Sequence, residues 1–184
     1  MNLIGDDNEL VSQFKKGGPF KDKAFTGIVK RYQEKIYWQV RRMVINHEDA
    51  DDVLQNVFIK AWNGLDNFRE DSKLSTWLYR IAVNESLTYL EQQKKRASFS
   101  FDDLAENLEN QLHAEKGFDE SKAVWKLQLA IQQLPEKQRI VFNYRYFEEM
   151  GYEEMSELLD TSVGALKASY HHAVKKIEEF ILNS

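Results

Sequence analysis

The sequence predicts an all-α protein: two small helical domains joined by an acidic linker, the second ending in a helix-turn-helix. Three observations carry that prediction. Apolar residues recur every three or four positions along most of the 184 residues, the period of a helix with one buried face. An acid-rich stretch at 98–121, Pro135, Gly151 and the run Asp160-Thr161-Ser162 punctuate the pattern. No period-two alternation, Gly-rich phosphate loop or internal repeat competes with it.

The elements follow in order. A short helix lies near residues 10–16. Phe25, Ile28, Val29, Tyr32, Ile36, Val40 and Val44 mark a second, and Val53, Leu54, Val57, Phe58, Ala61 and Trp62 a third. Leu74, Leu78 and Ile81 mark a fourth that runs to about residue 93, where the polar, basic end at 91–96 suits a helix C-terminus. These helices make the first domain, 1–97. Residues 98–121 carry Phe99, Phe101, Leu104, Leu108 and Leu112 among seven acids and one lysine, a linker with weak helical tendency and little core of its own. It reads either as a solvated spacer or as an acidic arm that threads another protein's channel, and composition favours the spacer. The second domain, 122–184, starts with the stripe Val124, Leu127, Ile131 and Leu134. Pro135 suits the first turn of a new helix bearing Ile140, Val141, Tyr144 and Phe147. Gly151 breaks that helix, Tyr152 to Leu159 gives a short one, and Thr161 or Ser162 can cap the last. Its buried face is Val163, Leu166, Tyr170, Ala173, Ile177 and Ile181.

Bulk composition narrows the function. Cysteine is absent, which excludes disulfides and thiolate metal sites. No apolar run reaches the length of a membrane span, and the N-terminus has no basic region followed by an apolar core, so a cytoplasmic protein without stable membrane insertion is expected. The net charge of −5 is unevenly spread: residues 20–97 carry +3 and residues 98–121 carry −6. Local fields therefore leave nucleic-acid binding open to the first domain.

The segment 68–84, FREDSKLSTWLYRIAVN, sets a charged loop against a helical pattern. Phe68, Trp77 and Tyr79 offer flat faces for an unstacked base, Asn84 an amide for its edge, and Arg69 and Arg80 charge for phosphates. Lys73, Thr76, Arg80 and Asn84 fall on one stripe. Trp77 taken alone reads as a core residue and Asn84 as a surface amide; the adjoining loop favours the functional reading. Asp51, Asp52, Gln55 and Asn56 lie on the polar side of the third helix. No histidine stands at a useful spacing for metal or acid–base chemistry, so they read as helix-start dipole features or as a protein-binding face. The final helix presents Ser162, Ala165, Lys167, Ala168, Ser169, His171 and His172 away from its core, with small residues where a backbone approaches base edges and Lys167 and Lys175 for phosphates. His171 and His172 point about 100° apart and cannot pair on one face. There is no H-E-x-x-H, nucleophile elbow or Walker loop, so enzyme chemistry has no visible seat and no cofactor is expected.

These motifs resemble bacterial RNA polymerase sigma factors of the extracytoplasmic-function class. DADDVLQNVFIKAW at 49–62 is similar to the family's core-polymerase-binding helix, and STWLYRIAVN at 75–84 to its −10 element reader. LPEKQRIVF at 134–142, GYEEMSELL at 151–159 and VGALK at 163–167 are similar to its −35 reading domain. The resemblance implies that Asp51, Asp52, Gln55 and Asn56 hold the clamp helices of the polymerase β′ subunit. It implies a flipped −10 base in a pocket near Gly64, Phe68, Ile81 and Asn84, the linker in the polymerase channel, and the helix from Ser162 in the −35 major groove. An anti-sigma factor is an implied partner. Two positions depart from the family: Asn56 stands where an acid is common, and Ser169, His172 and Val174 stand where arginines are common. The alternative readings are a helix-turn-helix regulator that binds DNA without polymerase, and an adaptor that docks only a protein.

Overall fold

The computed structural model describes residues 5–96 and 122–183. The linker expected over 98–121 lies outside the described residues. Eight α-helices and no strand occur among them. Two compact units emerge, the first from residues 5–44 and 48–91, the second from 92–96 and 122–183 with residues 45–47.

In the first unit, α1 (Asp7–Lys16) begins where the Asp6 carboxylate accepts a 2.8 Å hydrogen bond from the Glu9 backbone N–H. It ends at Gly17, whose φ of 72° lets the chain turn with its N–H donating to the Phe14 carbonyl. Leu10, Val11 and Phe14 form its buried face. Pro19 opens α2 (Pro19–Val44), where its missing N–H has no intrahelical acceptor to lose. Ile28, Tyr32, Ile36 and Val40 line its core side. α3 (His47–Gly64) carries Glu48 and Asp49 in its first turn, complementing the helix dipole, and buries Ala50, Val53, Val57 and Ala61. The apolar run expected as one face of this helix is thus two faces: Leu54, Phe58 and Trp62 stay half-buried. A 3-10 turn (Leu65–Asn67) and a short loop lead to α4 (Leu74–Arg96). α4 buries Leu74, Leu78, Ala82 and Ser86.

The second unit holds α5 (Lys122–Gln132), α6 (Glu136–Tyr146), α7 (Tyr152–Leu159) and α8 (Val163–Asn183). Ala130, Ile131, Leu134, Phe142, Ala173 and Ile177 form its core. Pro135 sits one residue earlier than expected, at the cap of α6, where its carbonyl accepts from the Arg139 N–H at 2.9 Å. Asp160 ends α7 in the left-handed conformation, φ 49°, a conformation aspartate tolerates better than most residues. Ser162 caps α8, its hydroxyl accepting from the Ala165 N–H at 3.3 Å. Ile181, expected on the buried face, is 38% exposed; Phe180, one position earlier, packs against the core instead.

Candidate functional site

Around α4, the angular position of each residue decides what it can do. At about 100° per residue, Trp77, Ile81 and Asn84 share one stripe with Arg80 and Lys73 beside them. Asn84 and Arg80 are exposed, and Trp77 and Ile81 half-buried. Thr76, expected on that stripe, lies about 80° from Asn84 and is buried. Tyr79 lies about 140° away and is half-buried. Tyr79 therefore does not share the Trp77 and Asn84 stripe.

Phe68 lies beside this stripe. Its ring is 7% exposed and packs against Trp77 with centroids 5.1 Å apart and planes tilted by 38°. It supports the indole from beneath; it is not an open stacking face. Gly64 completes this arrangement. A Cβ there would stand 3.1 Å from the Trp77 ring, so the missing side chain lets the indole lie against the end of α3. Arg69 is highly exposed and pairs with Asp71 at 3.0 Å.

The loop that carries Phe68 is tied to the start of the chain. Lys15 Nζ donates to the Phe68 carbonyl and to Glu70, each at 2.7 Å. Lys21 Nζ pairs with Asp66 at 2.6 Å and lies over the rings of Phe14 and Trp62. Asp7 accepts from Arg31 and from the Tyr32 hydroxyl, each at 2.5 Å. Burial, then this hydrogen bond, pushes the Tyr32 hydroxyl well above the ordinary tyrosine range.

On the other exposed side of α3, an open groove of about 660 Å³ runs between α2 and α3. Its floor is apolar: Phe25, Val29, Leu54, Phe58, Ile59 and Trp62. Asp51, Asp52, Gln55 and Gln33 line it as polar groups. Phe14 backs the floor, its ring edge-on to Trp62 at 5.1 Å, and Phe25 meets Trp62 edge-on at 5.0 Å. Ile59 is 52% exposed in this groove, an apolar side chain set where a partner can cover it. Asp51 and Asp52 lie beyond the first helical turn, so the dipole role belongs to Glu48 and Asp49. Asn56 is exposed but does not line the groove. The sequence pattern marked the polar groups and missed the floor, because Leu54, Phe58 and Trp62 read as core.

In the second unit, α7, the turn at Asp160 and α8 form the expected helix-turn-helix. Ser162, Ala165, Lys167, Ala168, His171 and His172 are exposed, and Ser169 is half-buried. The Ser162 hydroxyl is committed to capping. The histidine rings are 6.0 Å apart and tilted by 56°. Two residues the sequence reading passed over join Lys167. Arg145 donates to the Met150 carbonyl at 3.2 Å, and its guanidinium lies 5.3 Å from the centre of the Tyr152 ring. Lys167 Nζ lies 5.6 Å from the same centre. One ring thus holds two cations beside the start of α8.

A two-unit, all-α protein with a helix-turn-helix in its second unit has the layout of DNA-binding proteins, and comparison with known proteins identifies the family. Residues 28–96 match Sigma-70 region 2, and residues 125–177 match Sigma-70, region 4. The RNA polymerase sigma-H factor of Pseudomonas aeruginosa is 35% identical over 184 residues, with 94% of this chain and 92% of the relative covered. The ECF RNA polymerase sigma-E factor of Escherichia coli K12 is 36% identical over 180 residues, at the same coverage. Among solved structures, CnrH in complex with the cytosolic domain of CnrY is similar with a TM-score of 0.70 and 22% identity, over 97% of this chain and 98% of that one. The sigma factor RpoE in complex with the anti-sigma factor NepR from Bartonella quintana follows at 0.64 and 18%, over 86% and 97%. Both share the fold. The chain belongs to the RNA polymerase sigma factors, in the extracytoplasmic-function class. It directs RNA polymerase in transcription initiation. Nothing in these matches supports a regulator that acts without polymerase.

Proposed function

We propose the following division of labour. The first domain, 1–97, binds core polymerase through the groove between α2 and α3 and captures one base of the melted −10 strand on the Trp77, Ile81 and Asn84 face. The second domain, 122–184, sets α8 in the major groove of the −35 element, with Lys167 and Arg145 toward phosphates. Residues 98–121 join them. The observation that carries the −10 assignment is the stripe itself: an exposed amide in line with an indole held in place by Phe68 and Gly64. Flipping a base costs a few kcal/mol, while stacking returns about 1–3 kcal/mol. Capture is therefore weak without the polymerase, which supplies the remaining affinity.

The apolar groove fits the β′ clamp helices as a helix-in-groove interface, with Asp51, Asp52 and Gln55 at its polar edge. The protein works in the cytoplasm as a non-catalytic subunit. An anti-sigma factor, of the kind seen with the Bartonella quintana relative, restrains it by covering these faces. In vitro transcription with core polymerase and this chain over genomic fragments tests the whole. Run-off products that share −10 and −35 elements are expected. Absence of run-off overturns the proposal.

A further inference from the structure

Lys15 lies outside the segment that matches Sigma-70 region 2, which begins at residue 28. Its ammonium nevertheless reaches the loop that precedes the proposed base-capturing face. It donates to the Phe68 carbonyl at 2.7 Å in a part-buried setting, pairs with Glu70 at 2.7 Å, and lies 6.0 Å from the centre of the Phe68 ring. Glu70 has a φ of 64°, a left-handed conformation that a residue with a Cβ disfavours. Lys15 ties this turn down from outside the loop. Lys21 supplies a second tie at Asp66, 2.6 Å away.

We infer that Lys15 is a positioning residue for −10 base selection: by holding Phe68 and Glu70 it fixes the Trp77 indole, and through it the geometry of the Ile81 and Asn84 face. Each link is a direct contact, from Lys15 to Phe68 and from Phe68 to Trp77. An exposed ion pair alone holds little. The charged hydrogen bond to a main-chain carbonyl is stronger and directional, and it fixes backbone. The inference rests on the proposed −10 reading, and its test separates the two.

The test is transcription by core polymerase with the full chain from a promoter library carrying every base at each −10 position. Lys15→Met is expected to flatten base preference about tenfold, the scale of one lost charge-assisted hydrogen bond. Lys15→Arg should restore part of it, and Lys16→Met, which removes the neighbouring charge, should leave it intact. A merely structural role for Lys15 would lower output from all promoters alike. That outcome, or an unchanged preference, overturns the inference while Asn84→Ala still flattens the profile. If Asn84→Ala leaves the profile unchanged, the −10 reading fails and this inference with it. Should Lys15→Met lose its helical circular dichroism, Lys15→Gln, whose shorter neutral side chain cannot make the charged bond to the Phe68 carbonyl, replaces it. Partial flattening there supports the inference, and an unchanged profile overturns it.

Discussion

The Trp77 indole lies so close to Gly64 that a Cβ on that glycine would stand 3.1 Å from the ring. Gly64 closes α3 and Trp77 belongs to the first turn of α4, so this contact sets one helix end against the other. Gly64→Ala gains about 0.4–1 kcal/mol from a less flexible unfolded chain. Overpacking the indole costs about 1–3 kcal/mol, so crowding wins. A net destabilisation of about 1 kcal/mol is expected in urea unfolding, with a shifted tryptophan emission and reduced open-complex formation. A more stable variant with unaltered emission would show that the ring has room to move.

Ile59 is half-exposed in the groove between α2 and α3. Ile59→Glu should leave stability within about 0.5 kcal/mol of the native value, as surface substitutions do. Binding to core polymerase should weaken at least about tenfold, since an interface that buries an unpaired carboxylate loses several kcal/mol. Competition binding against core polymerase reads this directly. Asp52→Ala with Gln55→Ala should weaken binding less, because these groups sit at the polar edge. Undiminished binding by Ile59→Glu would move the polymerase interface elsewhere.

Lys167 shares the Tyr152 ring with Arg145. Lys167→Ala should weaken binding of the full chain to duplex −35 DNA and lower the salt slope by about 0.9, one phosphate contact on B-DNA. Titrations at several salt concentrations measure that slope. An unchanged slope would place Lys167 away from the backbone of the duplex.

Tyr32 links pH to stability. Its hydroxyl is raised by burial and by the hydrogen bond to Asp7. The unfolded chain therefore loses this proton first, above about pH 10. The associated stability is fully present below that pH and is lost as pH rises, at up to about 1.4 kcal/mol per pH unit. Tyr32→Phe should lack this part of the alkaline decline. Parallel denaturation curves at pH 9 to 11 compare the two, and identical declines would assign the effect to other groups.

Much of this architecture was legible because helices write their period into the chain. Ile28, Val53, Leu78 and Ile177 announced buried faces by spacing alone. Asp160 and Ser162 announced the turn between α7 and α8 by their chemistry. The groove floor was not legible. Leu54, Phe58 and Trp62 have the same spacing as core residues, and only the packing of α2 against α3 decides which apolar stripe is covered. Tyr79 and Asn84 read as neighbours in a short motif, although the helix sets them about 140° apart. The tie from Lys15 to Phe68 spans 53 residues, a pairing no local pattern contains. Asn84 stood out because a polar amide in line with aromatic residues is a local signal.

The structure of promoter-bound holoenzyme formed with this chain tests the −10 reading most directly. One non-template base should lie outside the stack, its edge bonded to the Asn84 amide and its plane beside Trp77 and Ile81. A melted strand that passes this face with every base elsewhere would contradict it.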